Sequence, residues 1–147
     1  MSDFFNIKNT KKVYLMKKII KSDQEWKSHL SEKAYNILRK QGTERAFTSD
    51  DFPKVAGVYC CLGCGAELFS SNAKFESGSG WPSFFQPIET NVVEESIDNS
   101  LMMTRTEAHC FKCEGHLGHV FPDGPSPTGL RYCINGGALS FKEVKKT

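Results

Sequence analysis

Two cysteine pairs of equal spacing are the feature that most restricts the fold of this chain. Cys61 and Cys64 form one C-x-x-C pair, and Cys110 and Cys113 form the other. Each pair offers two thiolates from one tight turn, and two such turns can enclose a tetrahedral four-sulfur zinc site. A site with four protein thiolates keeps no open coordination position. We therefore predict one structural Zn²⁺ per chain rather than a catalytic metal.

The residues around the pairs support two equivalent turns that face one metal. In CGAEL and in CEGHL, a leucine stands four residues after the second cysteine of its pair. A redox-active C-x-x-C of the thioredoxin type would need a β-α-β context, which the sequence does not suggest. Cys60 leaves one alternative open, because it could take the place of Cys61. The tighter C-x-x-C spacing favours Cys61.

Composition indicates one small globular domain. The chain has 147 residues, of which 39% are hydrophobic and 12% aromatic, enough for a single modest core. A net charge of +2 gives no reason to expect nucleic acid or an acidic membrane as partner. No apolar run is long enough to span a bilayer, and the N-terminus lacks the apolar core of a secretory signal. We expect a cytoplasmic monomer, in which clustered cysteines bind metal or catalyse rather than form disulfides.

The chain is expected to consist of a flexible extension (residues 1–20), a folded domain (21–142) and a tail (143–147). Helical patterns cover 22–42 and predict two short helices or one kinked helix. Ser22 to Glu25 match a capping box, and Ser31 is a second start signal.

Beyond these helices, short β-prone runs alternate with turns rich in glycine and proline. The pattern predicts a mainly β fold, a small antiparallel sheet or barrel-like domain behind short N-terminal helices. The predicted strands are 55–59, 66–69, 83–85, 101–106, 130–134 and 138–141.

Cys133, in the stretch RYCIN, has no second cysteine at metal-binding spacing. A lone cysteine on a strand is usually an inert core residue. However, Arg131 and Asn135 would lie on the same face of that strand, and the arginine would favour the thiolate. Cys133 could then be a nucleophile whose proton partner is a histidine elsewhere in the chain.

Four further side chains are candidates for a site. His116 and His119 could be metal ligands, general acids or ordinary half-buried residues. If the cysteines satisfy the metal, the histidines are free for proton transfer, and Asp123 could orient one of them. Trp81, between a glycine turn and a proline, is either a core residue or the wall of a small apolar pocket.

Five stretches, taken together, resemble the B-type peptide methionine sulfoxide reductases over about residues 26–141. They are GTERAFTSD, CLGCGAELF, KFESGSGWPSF, HLGHVFPDGPSPTG and RYCIN, in that order. The resemblance implies an antiparallel β fold with N-terminal helices, zinc on the four paired cysteines, and Cys133 as the nucleophile. The implied substrate is the R epimer of methionine sulfoxide, chiefly within proteins, and the existence of one enzyme per epimer is consistent with this.

The resemblance also implies roles for the other candidate residues. Trp81 would line the pocket for the substrate's S-methyl group. The residues implied to hold and protonate the sulfoxide oxygen are His116, His119, Asp123, Arg131 and Asn135. The Cys133 thiolate would then become a sulfenic acid, which condenses readily with a thiol.

The chain departs from the family pattern at the recycling cysteine. Position 79 is serine where many members carry that cysteine, and residues 46–48 contain no cysteine either. Cys60 remains, but its neighbour Cys61 is expected on the metal. We therefore favour reduction of the sulfenic acid by thioredoxin, glutaredoxin or a small thiol over a Cys60–Cys133 disulfide. Gly136, where relatives often carry serine, is expected to matter little.

Two other functions fit parts of the sequence. A zinc-ribbon module that binds nucleic acid or protein would explain the cysteine pairs. It would leave Trp81, the histidines and Cys133 without a role. A free-standing thiol oxidoreductase would exchange disulfides without needing a sulfoxide. Consumption of half of a racemic methionine sulfoxide would distinguish the reductase from both.

Overall fold

Residues 18–144 are described by a computed structural model and contain two helices and nine strands. The helices are α1 (Asp23–His29) and α2 (Glu32–Lys40). The strands are β1 (Gly57–Cys61), β2 (Glu67–Ser70), β3 (Lys74–Phe75), β4 (Ser83–Phe84), β5 (Val93–Asp98), β6 (Arg105–Cys110), β7 (His116–Phe121), β8 (Arg131–Ile134) and β9 (Leu139–Glu143). Short 3-10 turns lie at Ser71–Ala73, Ser100–Met102 and Gly136–Ala138.

Both helices begin at the serines that the sequence marks as caps. Ser22 and Glu25 form the predicted capping box at the start of α1. The Ser31 side chain accepts a hydrogen bond from a backbone N–H in the first turn of α2. Helix α2 ends at Lys40, and its C-cap residue Gln41 has a left-handed φ of 56°, so the helix lies within the predicted range 22–42. The prediction of two short helices is confirmed.

All strand pairs are antiparallel, and the strands form two sheets. In the first sheet β1 lies between β2 and β9. The second has the order β3-β4-β8-β7-β6-β5. The predicted mainly β fold is confirmed, because nearly all regular structure after α2 is strand.

Five of the six predicted strands lie within two residues of their observed bounds. The prediction of a strand over 101–106 is wrong at its start, because residues 100–102 form a 3-10 turn and β6 begins at Arg105. The sequence did not indicate three strands: β3, which has only two residues, β5, whose side chains are mostly charged or polar, and β7, which has two histidines and a glycine. In β5, Glu95 lies between Val93 and Ile97 on the same face, and in β7 the bulge at Leu117 interrupts the alternation, so neither segment shows the period-2 pattern of a strand.

Aromatic side chains pack between the two sheets and form the centre of the core. Phe69 on β2 stacks on Phe84 of β4, with 4.3 Å between ring centroids. Tyr59 on β1 meets Phe84 edge-on at 4.9 Å, and Tyr132 on β8 packs against Phe69. Because each sheet contributes to this cluster, one face of the six-stranded sheet is buried and apolar.

The end of the predicted N-terminal extension contacts the domain. The N–H of Ile19 donates to the carbonyl of Lys112 at 2.6 Å. Residues 1–17 and 145–147 lie outside the described part of the chain, and β9 continues one residue into the predicted tail. Within residues 18–144, no helix has the length and apolar character needed to cross a membrane.

The two cysteine pairs occupy matching turns, one between β1 and β2 and one between β6 and β7. The residue after each second cysteine has positive φ, 82° at Gly65 and 62° at Glu114. Its N–H donates at 2.8 Å to the carbonyl of the first cysteine of its pair, Cys61 or Cys110. The leucines predicted at equivalent positions, 68 and 117, are fully buried.

These matching turns predict opposite effects of two substitutions on stability. Gly65→Ala should lower the free energy of unfolding by about 1 kcal/mol, because a Cβ is disfavoured in the left-handed region. That Cβ would meet no atom within 4 Å, so only the backbone contributes to the loss. Glu114→Gly should raise it by up to about 1 kcal/mol. Urea unfolding of the metal-loaded protein measures both values.

Glu114→Gln is the matched control, since it keeps the backbone penalty. It removes only the charge that lies 4.0 Å from Lys18. Its unfolding midpoint should equal that of the wild type. An unchanged midpoint for Gly65→Ala would contradict the account of these turns.

Candidate active site

A pocket of about 300 Å³ opens on the six-stranded sheet, on the face opposite the aromatic core. Its lining residues are Thr43, Ser79, Trp81, Arg105, Gly118, His119, Phe121, Arg131, Cys133 and Asn135. Five side chains predicted for the site thus share one cavity, whereas His116 and Asp123 lie outside its lining. A larger cavity, of about 390 Å³ beside Asp50 and Lys74, contains none of the predicted site residues.

The strand register brings Cys133 and His119 together. They are direct partners on β8 and β7, so their side chains lie on the same face with Cβ atoms about 5 Å apart. The same row continues across the sheet, with Glu107 opposite His119 and Ser96 opposite Glu107. Ser83 on β4 is the partner of Cys133 on its other side. The pocket therefore lies on a polar row that crosses five strands.

A β-bulge places His116 on the same face as His119. In a regular strand, residues three apart point to opposite faces. Here His119 pairs with Glu107 while His116 pairs with His109, so Leu117 is an extra residue in β7. The two imidazole rings consequently lie 5.5 Å apart, edge to face. His116 supports the His119 ring from behind rather than facing the pocket.

Each histidine contacts a carboxylate. His119 Nε2 lies 2.8 Å from Asp98 Oδ2, and His116 Nδ1 lies 2.6 Å from Glu107 Oε2. The hydrogen bond with His119 holds the pKa of Asp98 well below its ordinary value. Burial lowers the pKa of His116, although its contact with Glu107 acts in the opposite direction. His116 is therefore neutral at pH 7, and Asp98 is ionised.

Asp123 binds Arg131 instead of a histidine. Arg131 Nε donates to Asp123 Oδ1 at 2.8 Å, and Nη2 donates to Oδ2 at 3.2 Å. The prediction that Asp123 orients a histidine is wrong. Strands β5 and β6 supply the orienting carboxylates, Asp98 and Glu107, because these strands lie beside β7 in the sheet. The Arg131 guanidinium also stacks over the Phe121 ring at 4.5 Å.

The surroundings of the Cys133 thiol have opposing effects on its pKa. Burial raises its pKa above the ordinary value, while the charge of Arg131 and hydrogen bonds to Ser79 and Arg131 lower the pKa in part. The net direction is upward. Cys133 is therefore mainly a thiol at neutral pH.

Glu44, which the sequence analysis did not single out, connects opposite walls of the pocket. Its carbonyl accepts a hydrogen bond from Trp81 Nε1 at 3.0 Å, and its N–H donates to Asn135 Oδ1 at 3.0 Å. Its carboxylate is 4% exposed, lies 3.2 Å from Lys33 and accepts from the N–H of Gly137. The position of Glu44 within the stretch GTERAFTSD was the available sequence signal.

Asn135 is fixed by backbone groups on both sides of its amide. Besides its bond from Glu44, its Nδ2 donates to the carbonyl of Leu117 at 3.0 Å. At the next residue, Gly136, a Cβ would lie 1.8 Å from the carbonyl oxygen of Ser49. In this chain the packing around residue 136 therefore leaves room only for glycine.

The four paired cysteines meet at the junction of the two sheets. The Cys61 and Cys113 sulfurs are 3.7 Å apart, those of Cys64 and Cys110 are 3.6 Å apart, and all four lie within 4.8 Å of one another. A tetrahedron with Zn–S bonds of about 2.3 Å has edges of roughly 3.8 Å. The cluster can therefore hold one metal ion. Cys61 rather than Cys60 belongs to it, as predicted.

Comparison with known proteins finds one matching domain family and many similar sequences. Residues 30–143 match the model of the SelR domain, which covers most of the chain. Peptide methionine sulfoxide reductase MsrB of Thiobacillus denitrificans is 57% identical over 122 residues, covering 82% of this chain and 92% of the relative. The protein of the same name from Leptospira interrogans is 56% identical over 124 residues, covering 84% and 95%.

The pocket geometry predicts how Cys133 reacts with iodoacetamide. Because burial raises its pKa, the alkylation rate should still be rising with pH above the ordinary thiol range. Arg131→Met removes a charge that lowers this pKa, so the rate profile should move to higher pH. Mass spectrometry of the peptide containing Cys133, after timed labelling at several pH values, measures the shift.

Arg105→Met is the matched control, since Arg105 lines the same pocket but hydrogen-bonds to Asp98. It should leave the alkylation profile of Cys133 where it is. A profile that moves to lower pH in Arg131→Met would show that Arg131 does not stabilise the thiolate.

Proposed function

The chain belongs to the SelR-domain family of peptide methionine sulfoxide reductases, and on that basis we propose that it reduces methionine-R-sulfoxide in oxidised proteins to methionine. It is an oxidoreductase that takes its electrons from thiols, and its role is protein repair under oxidative stress. The observation on which the assignment of Cys133 rests is its pairing with His119 in a pocket walled by Trp81.

In the first step, the Cys133 thiolate attacks the sulfoxide while His119 protonates the sulfoxide oxygen. A sulfoxide is a poor electrophile until its oxygen is protonated or hydrogen-bonded, so proton delivery must accompany the attack. The oxygen ends on Cys133 as a sulfenic acid, and methionine leaves. The cysteine sulfur loses two electrons and the methionine sulfur gains two, which balances the step.

Asp98 supports this proton transfer by orienting the His119 ring through its contact with Nε2. Its pKa is held low, so the carboxylate stays ionised while His119 carries the proton. Arg105 Nη2 lies 3.4 Å from the same carboxylate and helps to orient it. This arrangement of acid, imidazole and nucleophile follows the general pattern in which a third group orients the proton-transferring residue.

His116 and its partner Glu107 act through His119. His116 was predicted to be catalytic, but it lies outside the pocket lining and its Nδ1 is engaged by Glu107. Its ring fixes the orientation of the His119 ring by edge-to-face contact. We therefore assign His116 a positioning role.

The remaining pocket residues bind and orient the substrate. The Trp81 indole is fixed by its hydrogen bond to the Glu44 carbonyl, so its ring forms a rigid apolar wall for the S-methyl group. Arg131 provides positive charge beside Cys133, and Asp123 holds that guanidinium in place. The Asn135 amide lies in the pocket, where it can contact the sulfoxide oxygen.

An external thiol is the expected reductant of the sulfenic acid. Cys60 lies on β1 in the three-stranded sheet, and the charged groups around it are Lys142 and Glu67. Cys133 lies in the other sheet among different neighbours. Cys60 follows the core residue Tyr59 and Cys133 follows the core residue Tyr132, so both side chains point away from the core between the sheets and a disulfide would require the strands to rearrange. Thioredoxin, glutaredoxin or a small thiol can instead attack the sulfenic acid directly, releasing water and leaving a mixed disulfide for a second thiol to resolve.

We assign zinc to the four-cysteine cluster. Thiolate ligands in a closed tetrahedral set are typical of structural Zn²⁺, which contributes folding energy rather than chemistry at the substrate. The ion would join the turn between β1 and β2 to the turn between β6 and β7. It would thereby fix the position of β7 and its histidines.

The central assignment predicts that Cys133→Ser abolishes reduction of a methionine-R-sulfoxide substrate with dithiothreitol as the thiol. The hydroxyl is a far weaker nucleophile than the thiolate. Zinc content and the circular dichroism spectrum should remain those of the wild type. Cys60→Ser is the matched control and should keep full activity. Retained turnover in Cys133→Ser would refute the assignment, and a Cys60–Cys133 disulfide after one turnover would refute the external reductant.

Removal of the metal should unfold the domain rather than merely lower its catalytic rate. Elemental analysis should find one zinc per chain, and a strong chelator should cause a cooperative loss of β structure together with activity. Cys64→Ser should bind zinc weakly and unfold at lower temperature. A zinc-free protein with an unchanged melting temperature would contradict the structural role.

A further inference from the structure

Three large apolar side chains beside the pocket are exposed to solvent. Phe47 is 79% exposed, Leu101 74% and Met102 102%. Their φ angles are 64°, 56° and 55°, all in the left-handed region. Bulky residues rarely adopt this conformation, and such strain is concentrated at functional sites. The fold therefore holds three apolar side chains in water at a conformational cost.

Phe47 is attached directly to one wall of the pocket. Its N–H donates to the carbonyl of Gly80 at 2.7 Å. A Cβ on Gly80 would lie 2.8 Å from the Phe47 ring, so the ring packs on that glycine. The next residue is Trp81, the apolar wall of the pocket. Phe47 thus continues the apolar surface of Trp81 outward.

Leu101 and Met102 are attached to another part of the pocket border. They lie in the loop between β5 and β6, where the N–H of Ser100 donates to Asp98 Oδ1 at 2.9 Å. Arg105, a lining residue, lies 3.5 Å from Ser100 Oγ and 3.4 Å from Asp98 Oδ2. The same carboxylate that contacts His119 therefore anchors this apolar loop.

We propose that Phe47, Leu101 and Met102 form an apolar rim that binds the polypeptide on either side of the methionine sulfoxide. This inference rests on the proposed function, and it specifies the substrate class: sulfoxides whose sequence neighbours are apolar. The pocket receives the sulfoxide side chain, so the flanking residues of a protein substrate must lie at its border. The rim residues occupy that border at two points.

The chemistry of damaged proteins favours such an occupant. Methionine commonly fills apolar cores, and oxidation turns its side chain polar and disrupts the packing around it. A damaged segment then exposes the apolar neighbours that had been buried with the methionine. Contiguous exposed apolar surface on a folded protein is typical of binding sites, and an apolar rim would gain free energy by covering these neighbours.

The test uses the triple variant Phe47→Asn, Leu101→Asn and Met102→Asn. Asparagine tolerates left-handed φ better than bulky residues, so the variant should fold and keep its melting temperature. The substrates are N-acetyl-methionine sulfoxide and two peptides of equal length, with the sulfoxide flanked by leucine and phenylalanine or by serine and glycine. Wild type should show a lower KM for the apolar peptide.

In the triple variant the KM for the apolar peptide should rise about fivefold to tenfold, with kcat unchanged. The kinetic constants for N-acetyl-methionine sulfoxide should not change, because that substrate does not reach the rim. The matched control is Ile20→Asn, since Ile20 is 89% exposed and is not one of the residues that line the pocket. It should leave all three substrates unaffected.

If the wild type had equal KM values for the two peptides, the proposal that the rim binds flanking residues would be wrong. The proposed function would remain, because N-acetyl-methionine sulfoxide would still be reduced. Failure to reduce any sulfoxide would overturn both. An unchanged peptide KM in the triple variant would also overturn the proposal. In that case a higher KM for thioredoxin would assign the surface to the reductant. Loss of a dimer in sedimentation would assign it to a second copy of the chain.

Discussion

Four cysteine sulfurs within 4.8 Å of one another join two hairpins that belong to different sheets. Thiolates this close repel one another unless a cation balances their charge. A domain of this size has only a small core, so a metal bound at this junction would help to fix the two sheets against each other. The position of β7, and hence of His119 opposite Cys133, depends on that junction because β7 begins directly beyond the second cysteine turn.

The six-stranded sheet separates packing from chemistry by its two faces. Phe84 and Tyr132 are partners on the buried face, and the neighbouring pair, Ser83 and Cys133, lies on the opposite face. The regular alternation of side chains along a strand is therefore sufficient to place the nucleophile on the face opposite the aromatic core. A binding module without catalysis would not require a row of titratable residues on the second face, whereas proton transfer to a sulfoxide does.

How much could be predicted from the sequence depended on how local each feature is. The helix caps were predicted because Ser22 and Ser31 act on residues within one turn. The metal cluster was predicted because each pair is held by a single turn. The carboxylate partners of the histidines were not predicted. Asp98 precedes His119 by 21 residues, and the two meet only because β5, β6 and β7 lie side by side in the sheet. The bulge at Leu117 could not be predicted either, because nothing in the sequence HLGH shows which residue lacks a partner on β6.

By itself, the sequence determined the mainly β class, the two helices, the four metal-binding cysteines and the separation of Cys133 from them. These follow from spacing, capping and alternation, which act over a few residues. Only the tertiary structure decided that Asp98 and Glu107 rather than Asp123 orient the histidines, and that Glu44 joins Trp81 to Asn135. Such contacts depend on strand order and register, and these are fixed when distant segments pack together, since no local pattern encodes them.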